Sequence, residues 1–116
     1  MNNAVKTLTD VIASRSVEQT AEFNGTLTYG DTDPVDVYTI KLKKPIPGTK
    51  TAIELRIRLC LPTGQTTLDT EKLLKTLYKS YIGTPNTDRV IELLAEFLDF
   101  PERDLKELLK DQGGVR

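Results

Sequence analysis

The chain has 116 residues, of which 38% are hydrophobic and 28% charged. That suits one globular domain, residues 1–116, and excludes a disordered polymer. Its 16 basic and 17 acidic residues give a net charge of −1, so bulk charge offers no attraction to nucleic acid. There is no histidine and one cysteine, Cys60. Those two facts remove the commonest general base, the commonest metal ligand and any internal disulfide framework.

The N-terminal segment MNNAVKTLTDVIASRS is too polar for a signal peptide, and no apolar run approaches a membrane span. The expected setting is therefore the reducing cytoplasm, without a membrane partner. Val5, Leu8 and Ile12 fall at helical spacing, which predicts a short amphipathic helix from Asn3 to Ser14. SRSVEQT reads as a polar connection.

The period then changes to two. Phe23, Leu27 and Tyr29 are expected on one face of a first strand, with Glu22, Asn24, Thr26 and Thr28 on the other. The turn residues GDTDP end it. A second strand is predicted from Val35 to Lys43, with Tyr38, Ile40 and Leu42 alternating against Thr39, Lys41 and Lys43. Val35 and Val37 are out of phase with the apolar set, which suggests a bulge there. KPIPGTK is a loop. The third strand, AIELRIRLCL, alternates most strictly: Ile53, Leu55, Ile57, Leu59 and Leu61 against Glu54, Arg56, Arg58 and Cys60.

The remainder is helical. In LDTEKLLKTLYKSYIG, Asp69 is the expected N-cap, Leu68 and Leu73 have staple spacing, and the buried stripe runs through Leu74, Leu77, Tyr78, Tyr81 and Ile82. Gly83 and Pro85 should end it. A further helix is expected from Asn86 or Thr87, burying Val90, Ile91, Leu94, Phe97 and Leu98. The last, PERDLKELLKD, carries Pro101 in its first turn, with Asp99 and Glu102 at capping-box spacing, and stops at Gly113–Gly114. The order αβββααα implies an α+β fold: a three-stranded antiparallel meander, with a short N-terminal helix and three C-terminal helices covering one face.

LLAEFLDFPERDLKELLK resembles a helix-turn-helix in outline. Its candidate reading helix, however, carries Glu102, Asp104, Glu107 and Asp111 against Arg103, Lys106 and Lys110. Phosphate neutralisation needs an excess of cations, so a helical hairpin packed on the core is the preferred reading. The sharper candidate is the sheet. If Leu42 and Ile57 face the core, then Thr39, Lys41, Lys43, Arg56 and Arg58 share the opposite face. Neighbouring strands lie ~4.8 Å apart, so these like charges repel, with Glu54 alone nearby to offset them. A partner protein with an acidic surface would relieve that repulsion. A nucleic acid is the less favoured alternative, because no aromatic side chain is interleaved on this face for base stacking.

Signals for catalysis, metal or cofactor binding are fragments. Cys60 has arginine neighbours but no histidine partner. Asp31, Asp33 and Asp36 lack the glutamate that would complete a calcium loop. PTGQTT lacks the lysine of a phosphate loop. The sequence thus suggests a small non-catalytic protein-binding module: an adaptor, inhibitor, assembly factor or subunit. It is open to self-association, with a symmetric dimer through an edge strand the simplest form.

Overall fold

A computed structural model of the chain describes residues 7–64 and 68–110. The expected helix start at Asn3 with Val5, the last three residues of PTGQTT, Asp111 and the Gly113–Gly114 stop lie outside the described residues. The elements are α1 (Leu8–Ser14), β1 (Glu18–Leu27), β2 (Val35–Pro45), β3 (Ala52–Pro62), α2 (Thr70–Tyr81), α3 (Pro85–Leu98) and α4 (Glu102–Leu109). The strands form one antiparallel sheet in the order β1-β2-β3, so the fold is α+β with the expected element order.

Alternation in β2 and β3 builds the core side of the sheet. Ile40 lies opposite Ile57 and Tyr38 opposite Leu59, and all four are buried. Every helix adds to this one cluster: Leu8, Val11 and Ile12 from α1; Leu73, Leu74, Leu77 and Tyr78 from α2; Ile91, Leu94 and Leu98 from α3; Leu105 and Leu109 from α4. The 24 Å short dimension of the molecule corresponds to one helix layer on one sheet layer. No described helix is long and apolar enough to cross a membrane.

β1 differs from its expected phase. The bulge sits at Asn24–Gly25 in β1 and not in β2, which pairs without interruption from Val35 to Pro45. Gly25 takes φ +124°, a conformation that side-chain-bearing residues avoid. The inserted residue reverses the alternation. Phe23 therefore pairs with Tyr38 on the core side, while Leu27 pairs with Val35 on the other face. Tyr29 lies beyond the strand. β1 also begins earlier than expected, at Glu18, inside the stretch read as a connection.

The helix ends show what sequence spacing captures and what it misses. Asp69 caps α2 as expected, its carboxylate accepting from Lys72 N at 3.2 Å. Leu68 is half exposed while Leu73 is buried. Ile82 is exposed, not part of the buried stripe, because the helix ends at Tyr81 and the chain turns through Gly83 at φ +88°. Pro85 does not simply break the chain. It is the first residue of α3, where its fixed φ and missing N–H are tolerated, and Thr84 caps the helix by accepting from Thr87 N at 3.2 Å. Asp99 does not cap α4. It closes α3 in the left-handed conformation, and Pro101 precedes α4 without a side-chain cap.

Candidate functional site

The face of the sheet opposite the helices is built from three strand-crossing rows. Glu22, Thr39 and Arg58 form one row; Thr20, Lys41 and Arg56 the next; Glu18, Lys43 and Glu54 the third. All five expected contact residues, Thr39, Lys41, Lys43, Arg56 and Arg58, therefore stand on one surface, with Lys41 directly beside Arg56. Lys43, Arg56 and Arg58 are exposed; Lys41 and Thr39 are partly covered. None of these residues belongs to the hydrophobic cluster that the helices cover.

The charge balance of this face differs from the sequence expectation. Glu54 is not the lone counter-charge, because the β1 register sets Glu22 in the row of Thr39 and Arg58 and the early start of β1 adds Glu18 beside Lys43. Lys41 Nζ lies 3.6 Å from Glu22 Oε1, and Arg56 Nε lies 3.3 Å from Glu54 Oε1. Lys43 and Arg58 form no ion pair among the described residues. Repulsion is thus partly relieved within the molecule, and the surface is a charged mosaic with a small cationic excess. Exposed pairs of this kind contribute little to stability and leave their charges free to exchange partners. A shallow groove lined by Glu18, Thr20, Lys41, Lys43, Glu54 and Arg56 crosses the charged rows.

Towards the other end the same face turns apolar. Val37, paired with Gly25 on one side and Cys60 on the other, is only 3% exposed although it points away from the helices. Here the bulge is held by side chains: Thr39 Oγ1 donates to Asn24 Oδ1, and Thr26 Oγ1 donates to the buried Asp36 at 2.8 Å. Asp36 is therefore committed to the core side of β2, apart from Asp31 and Asp33. No three His, Cys, Asp or Glu side chains among the described residues are placed to hold a metal. Cys60 is partly exposed, and its carbonyl accepts from the Tyr81 hydroxyl at 2.8 Å. A second groove, lined by Arg58, Cys60, Tyr81, Asn86 and Arg89, runs along this edge of β3.

The helical pair at the C-terminus offers a poorer surface. Leu105 and Leu109 pin α4 to the core. Its Lys106 and Lys110 are paired with Glu102 at 3.3 Å and Glu107 at 3.2 Å, and on α3 Arg89 is paired with Glu92 at 2.9 Å. Tyr38 is 2% exposed on the helix side of the sheet, and Phe23, its ring centroid 5.5 Å away, lies on that same side, so neither stands among the charged rows. Comparison with known proteins gives no match to any family model, curated protein or solved structure.

Proposed function

We propose that the protein is a non-catalytic binding module that docks another protein through the sheet face bearing Thr39, Lys41, Lys43, Arg56 and Arg58. The observation that carries this reading is a sheet face that combines aligned cations with Lys43 and Arg58, which have no ion pair among the described residues, while the four described helices are spent on the opposite face. The interspersed Glu18, Glu22 and Glu54 restrict the partner. It must present acidic groups in register with four cations and avoid three carboxylates, which favours a folded protein surface over a uniformly charged polyanion. The buried position of Tyr38 and the paired cations of α4 weigh against nucleic acid by either route.

A photo-crosslinking residue placed at Lys43 tests the reading, with the same group at Arg103 on α4 as the comparison. The expected result is protein adducts from position 43 that disappear with Arg56→Glu/Arg58→Glu. Adducts formed only from position 103, or undiminished by the double reversal, would sink it.

A further inference from the structure

The two outer edges of the sheet are not alike. β1 is kinked by its bulge, a device that turns an edge away from pairing with another chain. β3 runs from Ala52 to Pro62 without a bulge, and without proline or glycine before its last residue. Long regular edges of this kind are ready templates for another strand.

The direction of the main-chain groups on β3 follows from one contact. In an antiparallel ladder successive residues point their N–H and C=O groups to opposite sides. The Cys60 carbonyl accepts from the Tyr81 hydroxyl, which lies outside the sheet, so Cys60 looks away from β2. By alternation Arg58, Arg56, Glu54 and Ala52 look away too. Tyr81 occupies this edge at Cys60. Among the described residues no hydrogen bond from another element reaches the outward main chain from Ala52 to Arg58. Ile53, on the apolar phase of the same stretch, is 51% exposed.

We propose that this edge is a homodimer interface, in which the β3 strands of two copies pair antiparallel about a two-fold axis at Leu55 and join two three-stranded sheets into one. Charge selects the axis. An axis at Ile57 would set Arg56 against Arg58 of the second copy and run into Tyr81. One at Arg56 would set that arginine against itself, and one at Glu54 would do the same for the carboxylate. At Leu55, Glu54 faces the second copy's Arg56 and Arg56 faces its Glu54, Ile53 is covered by the second copy's Ile57, and the paired run ends at Arg58, clear of Tyr81. Such a contact is isologous and closes after two copies. It stands whether or not the sheet face docks a partner.

Sedimentation equilibrium of the full chain across the micromolar range tests it. The expected result is a monomer–dimer equilibrium. Glu54→Arg and Arg56→Glu should each weaken it about tenfold or more, and the Glu54→Arg/Arg56→Glu double variant should recover it. A separate route keeps the wild-type charges. Leu55 meets its own copy at a non-hydrogen-bonded position, where side chains lie about 5 Å apart. In a Cys60→Ser background, Leu55→Cys should therefore form a covalent dimer on mild oxidation, and Arg103→Cys should not. A monomer throughout the range, single reversals without effect, or no crosslink at position 55 would overturn the proposal.

Discussion

Among the described residues two other than glycine adopt the left-handed backbone, Ser16 at φ 58° and Asp99 at φ 55°. Each ends a helix in the same way. Val17 N donates to Ile12 O at 3.0 Å and Ser16 N to Ala13 O at 3.1 Å; Phe100 N donates to Ala95 O at 3.0 Å and Asp99 N to Glu96 O at 3.2 Å. These are Schellman turns with a side chain where glycine is the usual occupant. Asp99 adds a carboxylate at the negative end of the α3 dipole. Asp99→Gly and Ser16→Gly should each raise stability by about 0.5–1 kcal/mol in urea denaturation, since the hydrogen bonds belong to the backbone and survive the change. At Tyr38, burial and then the nearby Asp36 carboxylate raise the phenol's pKa above its ordinary 10.0. The native state thus holds that proton more tightly than the unfolded chain does. Its contribution is intact below about pH 10 and is lost as pH climbs through the raised value. Tyr38→Phe should accordingly flatten the fall in unfolding free energy between about pH 9 and pH 11.

At the scale of elements, the helices complete one another's ends across long sequence separations. Glu71 of α2 accepts from Leu8 N at 3.4 Å, Thr9 N at 3.3 Å and Thr9 Oγ1 at 2.8 Å, placing a carboxylate on the positive end of α1. The α3 terminus has no basic residue in its last turn, yet three carbonyls there receive cations from elsewhere. Arg15 Nε donates to Leu98 O at 2.6 Å and Arg15 Nη2 to Asp99 O at 3.1 Å, while Lys44 Nζ donates to Phe97 O at 3.0 Å. Arg15 also lies 5.4 Å from the Phe100 ring centroid. Arg15→Ala should cost about 2 kcal/mol, and Arg15→Lys should recover less than half of it, because an ammonium cannot bridge two carbonyls as the planar fork does. Differential scanning calorimetry of both variants checks the order.

These contacts mark the boundary of what the sequence makes legible. Local rules placed β2, β3, the cap at Asp69 and the apolar stripes of α3, since each depends on spacing within a few residues. They failed at β1, where one inserted residue inverts the phase and the glycine that permits it resembles any turn glycine. They failed at Asp99 because capping-box spacing does not distinguish the end of one helix from the start of the next. The tertiary caps were out of reach, since Arg15 and Leu98 are 83 residues apart. For the candidate site, alternation sufficed to align Lys41, Lys43, Arg56 and Arg58. The early strand start concealed the counter-charge Glu18, and Glu22, already on the predicted polar face of β1, required the strand register to set it beside Thr39.

For the whole molecule, the decisive feature is that one sheet has a face committed to folding and a face free of that duty. The four described helices and the apolar phase of the strands share a single buried cluster, so α4 is part of the same cooperative unit although it is the last of the described elements. Ile57 and Arg58 are adjacent in β3 but belong to the two faces: Ile57 is buried, Arg58 exposed. Ile57→Ala should lower stability by about 3 kcal/mol through lost burial and the cavity left behind. Far-UV dichroism and tyrosine fluorescence should shift together, because Tyr38 and Tyr78 report from the same core. Arg58→Glu should change stability by less than about 0.5 kcal/mol, as an exposed residue with no ion pair to lose among the described residues. If the reversal at position 58 removes partner binding while the melting temperature holds, and the truncation at position 57 does the opposite, then folding and recognition occupy alternate residues of one strand. Equal destabilisation by both would mean that the outer face is itself part of what holds the sheet together.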